Sequence, residues 1–313
     1  MIVWGLNEPG ECAMIVEETE NGKEVGKVDY MTHTLFGVAI YGALKKTDMD
    51  VKTKWAFFGA SVGSSVIPDI DIQWARAGAD YLMSHRGITH SFLMVPVWAG
   101  MFSLLAWLFF RVKDRRLFWT AFAGVLLHIV SDWTNAWGTG LLEPFTSRRY
   151  AIGIIPNKGY VFWAMAAAIV PFLLLFRGEK QRTRLFRVFW GLAALYAGFQ
   201  IAHSAYVYAD LKNDGFDRVA IRADRYPGGL SYYAKKDLEV VEGRHEVGGA
   251  NGVVREHRID PVDVEALMLD PSARSLLLFA PFVVTQDLGD EIRVFDPRFS
   301  GRVSMLSVNI PKA

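Results

Sequence analysis

The sequence predicts a membrane all-α region, of about six transmembrane or partly re-entrant helices, followed by a small soluble α+β domain. Three observations predict it. Half of the 313 residues are hydrophobic (51%), and they are clumped between residues 33 and 209 instead of being spread through amphipathic elements. Runs such as 88–110 and 159–176 carry no Asp, Glu, Lys or Arg and approach or exceed the ~20 residues that cross a bilayer core. Beyond residue 210 the apolar runs stop and short alternating segments with Gly-rich turns take over.

Taken in order, residues 1–27 are acidic and lack a long apolar stretch, so they are not a cleavable signal peptide. They read as a dispensable leader, or as an upstream extension from a misassigned start ahead of "VDYMTHTLFG". Residues 28–209 form the membrane domain, with apolar segments at 33–44, 55–67, 88–110, 117–133, 159–176 and 185–209. The first two are short for full spans, which leaves open a helical hairpin that penetrates partway. Orientation comes from the loops. "KKTDMDVKTK" carries four Lys, "RVKDRR" four basic residues and "RGEKQRTRLFR" five, whereas the longer alternate loops 68–87 and 134–158 hold two and three. By the positive-inside rule the basic loops face the cytoplasm, and the alternate loops and the chain after 210 face outward. The expected setting is a bacterial or archaeal cytoplasmic membrane, crossed several times.

Residues 210–313 read as an extracytoplasmic α+β domain. "RVAIRAD", "YYAKKDLEVVEG", "FVVTQDL", "EIRVFD" and "VSMLSVNI" are strand-like. "DPVDVEALMLDPSARSLLLFA" reads as one helix, capped by Asp260 ahead of Pro261. The net charge of +1 gives no support to a nucleic-acid partner, and one cysteine excludes an internal disulfide or a Cys-rich zinc site. Membrane lipids are the partners this composition implies.

The ionisable residues of the apolar region gather at the outer ends of the segments. His33 opens the first, Asp69 and Asp71 in "IPDIDIQW" close the second, and "HRGITHS" sets His85, Arg86 and His90 before the third. His128 and Asp132 in "LLHIVSDW" close the fourth, Arg148 and Arg149 follow in the next outer loop, and His203 lies near the outer end of the sixth. His128 and Asp132 are i and i+4 and project from one helical face. "MTHT" and "ITHS" match each other, with Thr32 and Thr89 as helix caps, which suggests a duplicated hairpin. Polar groups at bilayer depth are costly and persist with partners or a use. A divalent metal, Zn or else Mn or Fe, would partner His33, Asp69, Asp71, His85, His90, His128 and Asp132. Seven candidates exceed the four ligands of one zinc. Either two ions bind, or one binds and the surplus act as base and support. The bland alternative is polar capping of helix ends. It is preferred for His203, while His245 and His257 read as surface residues of the outer domain. Trp55, Trp74, Trp133, Trp137, Tyr160 and Trp163 read as an interfacial belt.

In order and spacing, "VDYMTHTLFG", "IPDIDIQW", "HRGITHS" and "GVLLHIVSDWTNAWGTGLLEPFTSRRYAIG" resemble the membrane-bound metal-dependent hydrolase family of the YdjM/DUF457 type. "RYPGGLS" and "FDPRF" are similar to its longer members with a carboxy-terminal domain. Where relatives carry Asp-Pro after the arginine motif, this chain has Pro156–Asn157 in "GIIPNKG". The resemblance implies a membrane fold with a metal site. A fainter likeness to zinc-dependent phospholipases C is one of chemistry.

The functional expectation is a hydrolase with an outward-facing site at headgroup depth, acting by metal-activated water on an amphiphilic substrate, a phospholipid or lipid-linked molecule. Asp71 is the expected general base, and Arg86, Arg148 and Arg149 neutralise charge on the reacting oxygen. The rival is a metal-stabilised, non-enzymatic membrane binding or envelope-organising protein. An ion transporter ranks last, because segments three and five have almost no polar residues in their interiors.

Overall fold

The computed structural model describes residues 23–75, 79–299 and 306–312. The first part is helical: α1 (Lys23–Ala43), α2 (Val51–Val66), a 3-10 turn (Ile67–Gln73), α3 (Ala79–Ser84), a second 3-10 turn (Ile88–His90), α4 (Met94–Phe110), α5 (Arg115–Thr134), α6 (Tyr160–Leu175) and α7 (Glu179–Asn213). Most of the proposed leader, 1–22, lies outside the described residues. The boundary placed at 27 falls inside α1.

Among the described residues, two helices are long and apolar enough to cross a membrane, α5 and α7. A third candidate is the bent pair 81–90 and 94–110, whose halves meet at 63°. Six spans are therefore not supported. Pro68 has no N–H to continue α2, which stops at 16 residues, and α6 is also 16 residues, with Pro171 inside it.

Close packing sets the helices. Gly37 of α1 faces the backbone of Ser61 and Val62 in α2, where a Cβ would lie 2.6 Å from Val62 Cα. Gly124 of α5 faces Ser64 of α2 in the same way, a small-residue contact typical of membrane helices. The basic turns collect at one end: the backbone N–H of Lys46 donates to Glu179, Lys54 pairs with Glu179 at 3.6 Å, and Arg187 donates to the Ala43 carbonyl. The Asp69, His90 and Asp132 side chains lie at the other end of these helices. From Arg115 to Asp132, α5 rises about 25 Å.

The second part is β-rich. A four-stranded antiparallel sheet has the order β1 (Arg218–Ala223), β2 (Gly229–Lys236), β3 (Glu239–Glu246), β4 (Gly252–Arg258). A three-stranded sheet follows, β5 (Val284–Asp287), β6 (Glu291–Phe295), β7 (Ser307–Pro311). The single helix expected at 260–280 is two, α8 (Val264–Leu269) and α9 (Pro271–Phe279). Pro271 forces Asp270 into an extended backbone, and Asp270 caps α9 through the N–H groups of Ser272 and Ala273. Asp263, not Asp260, caps α8, while Asp260 accepts from the Asp287 N–H.

No linker separates the two parts. α7 runs past the expected boundary at 209, and its Val207 and Leu211 pack into the first sheet against Ile221, Leu230 and Tyr232. Tyr81, Leu82 and Trp137 share another core with Leu276, Phe279 and Phe299. Trp137 is thus a core residue and not part of an interfacial belt.

Candidate metal centre

The centre is built from irregular backbone as much as from helix. Where α2 stops at Pro68, the 3-10 turn carries Asp69 and Asp71 inward, each 1% exposed. "HRGITHS" is not the start of a helix. His85 follows α3, Arg86 takes a left-handed backbone (φ 56), and α4 begins only at Met94. A non-glycine residue in that region costs on the order of 1–3 kcal/mol, and its surroundings must hold it there. Here they do: the Arg86 N–H donates to Asp71 Oδ2 at 2.9 Å, and its carbonyl accepts from Gly140 N at 2.8 Å and Arg149 Nη1 at 2.5 Å. Thr89 is therefore no helix cap. Its hydroxyl donates to Asp71 Oδ2 at 2.6 Å. Nor is Thr32, which lies inside α1 and accepts from Trp163 Nε1. The two Thr-His motifs differ in conformation, one inside α1 and the other in a 3-10 turn.

Asp69, His90, His128 and Asp132, all buried, each offer one ligand atom within 4.8 Å of the others. His90 Nε2 lies 3.3 Å from Asp69 Oδ1 and 3.3 Å from Asp132 Oδ2. His128 Nε2 lies 3.1 Å from His90 Nε2, 3.6 Å from Asp69 Oδ1 and 3.5 Å from Asp132 Oδ2. Ligands about 2.0–2.1 Å from one tetrahedral ion stand about 3.3–3.4 Å apart, and the five edges above, 3.1–3.6 Å, bracket that length.

The tautomers point the same way. His128 Nδ1 faces the Ser65 carbonyl at 2.7 Å, an acceptor only, so Nδ1 carries the proton. His90 Nδ1 faces Thr89 Oγ1 at 2.9 Å, whose own proton goes to Asp71, so it too is the donor. With the Nδ1 atoms so engaged, the two Nε2 atoms face each other and two carboxylates. A divalent cation between them, or protons on the Nε2 atoms, would satisfy that arrangement. Asp132 Oδ2, buried against both nitrogens, accepts no hydrogen bond.

The remaining predicted residues surround this group. Asp132 Oδ1 takes Arg86 Nη2 at 3.0 Å and His33 Nε2 at 3.4 Å, and the His33 ring stacks on His128 at 3.7 Å. Asp71 ties the loop together: Oδ1 meets His85 Nδ1 at 2.8 Å, and Oδ2 meets Arg86 N, Thr89 Oγ1 and, at 3.2 Å, His90 Nδ1. Burial alone would raise the Asp71 carboxyl, but the hydrogen bonds from His85 and His90 outweigh it and hold the group below the ordinary carboxylate range. Asp69, Asp71 and His85 also lie within 4.8 Å of one another and form a second group that could hold an ion.

The arginines divide. Arg86 is in the cluster, with Nη1 on Asn135 Oδ1 at 3.2 Å. Arg149 is buried but points at backbone, donating to the carbonyls of Arg86 and Met83 and pairing with Glu143 at 3.2 Å. Arg148 is exposed and outside the cluster. His203 and His245, read from sequence as interfacial and surface residues, are both buried and pair across α7 and β3 at 2.8 Å. His257 is half-buried beside Glu242.

The model of the family described as YdjM inner membrane protein matches residues 28–207, more than half of the chain. The chain belongs to the YdjM inner membrane protein family. It is also 32% identical over 149 residues to the uncharacterized protein YfhP of Bacillus subtilis (strain 168), an alignment covering 45% of each chain, so less than half of that relative's length is matched. No solved structure matches. All the cluster residues fall within the YdjM match.

Sequence reasoning missed Asn135, Glu143 and Arg298 as parts of the site's frame. Arg298 is buried, closes on Asp296 and donates to the Ala136 carbonyl at 2.8 Å. Its only signal was the "FDPRF" motif, quoted for the family likeness.

Proposed function

We propose that this YdjM family protein is a membrane-embedded, metal-dependent hydrolase with one divalent cation held by Asp69, His90, His128 and Asp132. The observation that carries the reading is the near-tetrahedral set of distances among the two facing Nε2 atoms and the two carboxylate oxygens. Two imidazoles and two carboxylates suit zinc, with manganese or iron as alternatives. A divalent ion so held supplies Lewis acidity and makes hydroxide available from water near neutral pH.

The chain's own groups then take distinct parts. Asp71 fixes the rings of His85 and His90, and its Oδ1, which meets only His85, keeps it a candidate proton acceptor. The second candidate is His33, whose Nε2 faces Asp132 Oδ1 and whose Nδ1 is the nitrogen left to take a proton. Arg86 holds Asp132 and supplies the positive charge nearest the reacting atoms. The basic turns at the far end of the helices support a cytoplasmic position for that end, an outward-facing centre, a multi-pass topology and an extracytoplasmic β-rich part. An amphiphilic substrate, a phospholipid or lipid-linked molecule, suits a centre at headgroup depth.

One observation favours the rival reading, a metal that only ties helices together. The cluster is closed, with His90 0% and Asp132 2% exposed, and four protein ligands leave no open position. Elemental analysis of detergent-purified protein, beside turnover of phosphodiester, phosphomonoester and carboxylester substrates, separates the two. The hydrolase reading requires about one metal per chain, lost in His128→Ala, and turnover lost in a folded, metal-bound His33→Ala. Metal without turnover on every substrate class leaves the structural role. No metal at all means a proton fills the gap.

A further inference from the structure

Between α3, the loop preceding Tyr150, and α8–α9 lies a groove of about 320 Å³. Met83, Met268, Leu269 and Leu278 line its apolar side, Ser147 and Arg274 its polar side. The volume is at the small end of the range for ligand sites.

Three features say what it takes. Its floor adjoins the metal centre, because the Met83 carbonyl accepts from Arg149 and His85 follows two residues later. Its mouth continues an apolar surface: Val97 and Leu104 of α4, then Leu93 and Phe92, are exposed, and the Phe92 N–H bonds the Leu141 carbonyl at 3.0 Å. From there exposed Leu142 and Phe145 (82% exposed) lead to Ser147. Exposed apolar side chains on segments joined in this way suit a binding or membrane surface. The one charged residue of its lining, Arg274, is basic. Arg274 and Arg148, next in the chain to Ser147, are exposed and carry no ion pair among the described residues, whereas neighbouring Arg149 is neutralised by Glu143.

We propose that the groove binds an anionic membrane lipid, with its phosphate between Arg148 and Arg274 and the first part of an acyl chain on Met83, Met268 and Leu278. The arginine forks match phosphate oxygens, and the apolar side takes the chain from the bilayer along the Phe92–Phe145 surface. Binding stands on the groove alone, while turnover of the bound lipid rests on the hydrolase reading above.

The test uses the full chain in detergent micelles, titrated with a fluorescent phosphatidylglycerol and with a phosphatidylcholine of the same chains. Phosphatidylglycerol should bind about ten-fold tighter. The double variant Arg148→Gln, Arg274→Gln should abolish that preference. Leu278→Trp, which fills the groove with both arginines in place, should weaken both lipids by about ten-fold. Equal binding of the two lipids by the wild type, or a preference that survives the double variant, overturns the proposal. So does displacement of phosphatidylglycerol by equimolar inorganic phosphate, which would show that the headgroup suffices. Metal content is measured on the same samples. Metal without lipid sinks this proposal alone, and lipid without metal sinks the hydrolase reading alone.

Discussion

Arg298→Ala tests whether the β-rich part holds the metal centre's loop in place. The guanidinium, 3% exposed, closes on Asp296 with Nη2–Oδ2 at 2.7 Å and Nε at 3.1 Å from both oxygens. Alanine leaves the Asp296 carboxylate, 0% exposed, with the backbone N–H of residue 298 but no cation. Removing one partner of a buried pair costs about 3–5 kcal/mol, and the lost bond to Ala136 about 1 kcal/mol more. A loss of that size lowers Tm by on the order of 10 °C. The effect should also reach the metal. Asn135 precedes Ala136, its Oδ1 holds Arg86, and Arg86 holds Asp132. A control separates charge from tether: Arg298→Met with Asp296→Leu removes both charges, so it should recover most of the stability while still lacking the Ala136 bond. Thermal unfolding in detergent and metal retained after dialysis against a chelator are the assays. If Arg298→Ala melts within about 2 °C of wild type and keeps its metal, the coupling argument is wrong.

Asp71→Asn keeps the shape of the side chain but replaces one acceptor oxygen by a donor facing Arg86 N–H, Thr89 or His85. Metal affinity should fall about 10–100-fold; unchanged affinity with turnover abolished would instead make Asp71 the base. Gly124→Val drives a side chain into Ser64 of α2, which is 0% exposed and has nowhere to move. A loss of about 1–3 kcal/mol, read by thermal unfolding, is expected. In the β-rich part, Glu242 is held below the ordinary range, first by its interaction with His257 at 3.7 Å. A depressed carboxyl stabilises the fold above its unfolded value, and this contribution is lost as pH falls from about 4.3 through the lower folded value. Glu242→Gln should lower the melting temperature at pH 7 and converge with wild type at low pH, which flattens the acid limb of the profile.

The sequence shows the composition of the centre better than its architecture. The seven His and Asp candidates stand in four separate segments, and polar groups in apolar runs flag themselves by their cost. The i, i+4 pair of His128 and Asp132 needs only helical geometry, which α5 supplies. The conformation of "HRGITHS" was not legible, because a helix start and a turn between two helices share the same residues. Deciding between them takes the Arg86 backbone, held in its left-handed form by Asp71, Gly140 and Arg149 from elsewhere in the chain. Arg298 was hidden for a related reason, since its partner carbonyl at Ala136 lies 162 residues away. Span number failed on length, where Pro68 and Pro171 left apolar segments that composition alone does not distinguish from full crossings.

The bend at residues 84–93 explains why the centre needs irregular backbone. On one continuous helix, His85 and His90 would be five residues apart and about 140° apart around the axis, so a single carboxylate would not reach both. The turn brings them to the two oxygens of Asp71, His85 on Oδ1 and His90 on Oδ2. Breaking a helix at bilayer depth exposes backbone groups that lipid cannot satisfy, and this is tolerated only where protein satisfies them. Here the N–H groups of Arg86, His90, Ser91 and Phe92 go to Asp71, Gly87, Ile88 and Leu141, and the Arg86 carbonyl takes Gly140 and Arg149. The loop at 140–149 is therefore as necessary to the ligand set as the ligands themselves. It reaches that position because its Arg149 N–H bonds the Leu278 carbonyl of α9 at 3.3 Å and the Gly153 carbonyl beyond it takes Ala223 N at 2.7 Å. The β-rich part thus completes a centre whose ligands all lie outside it.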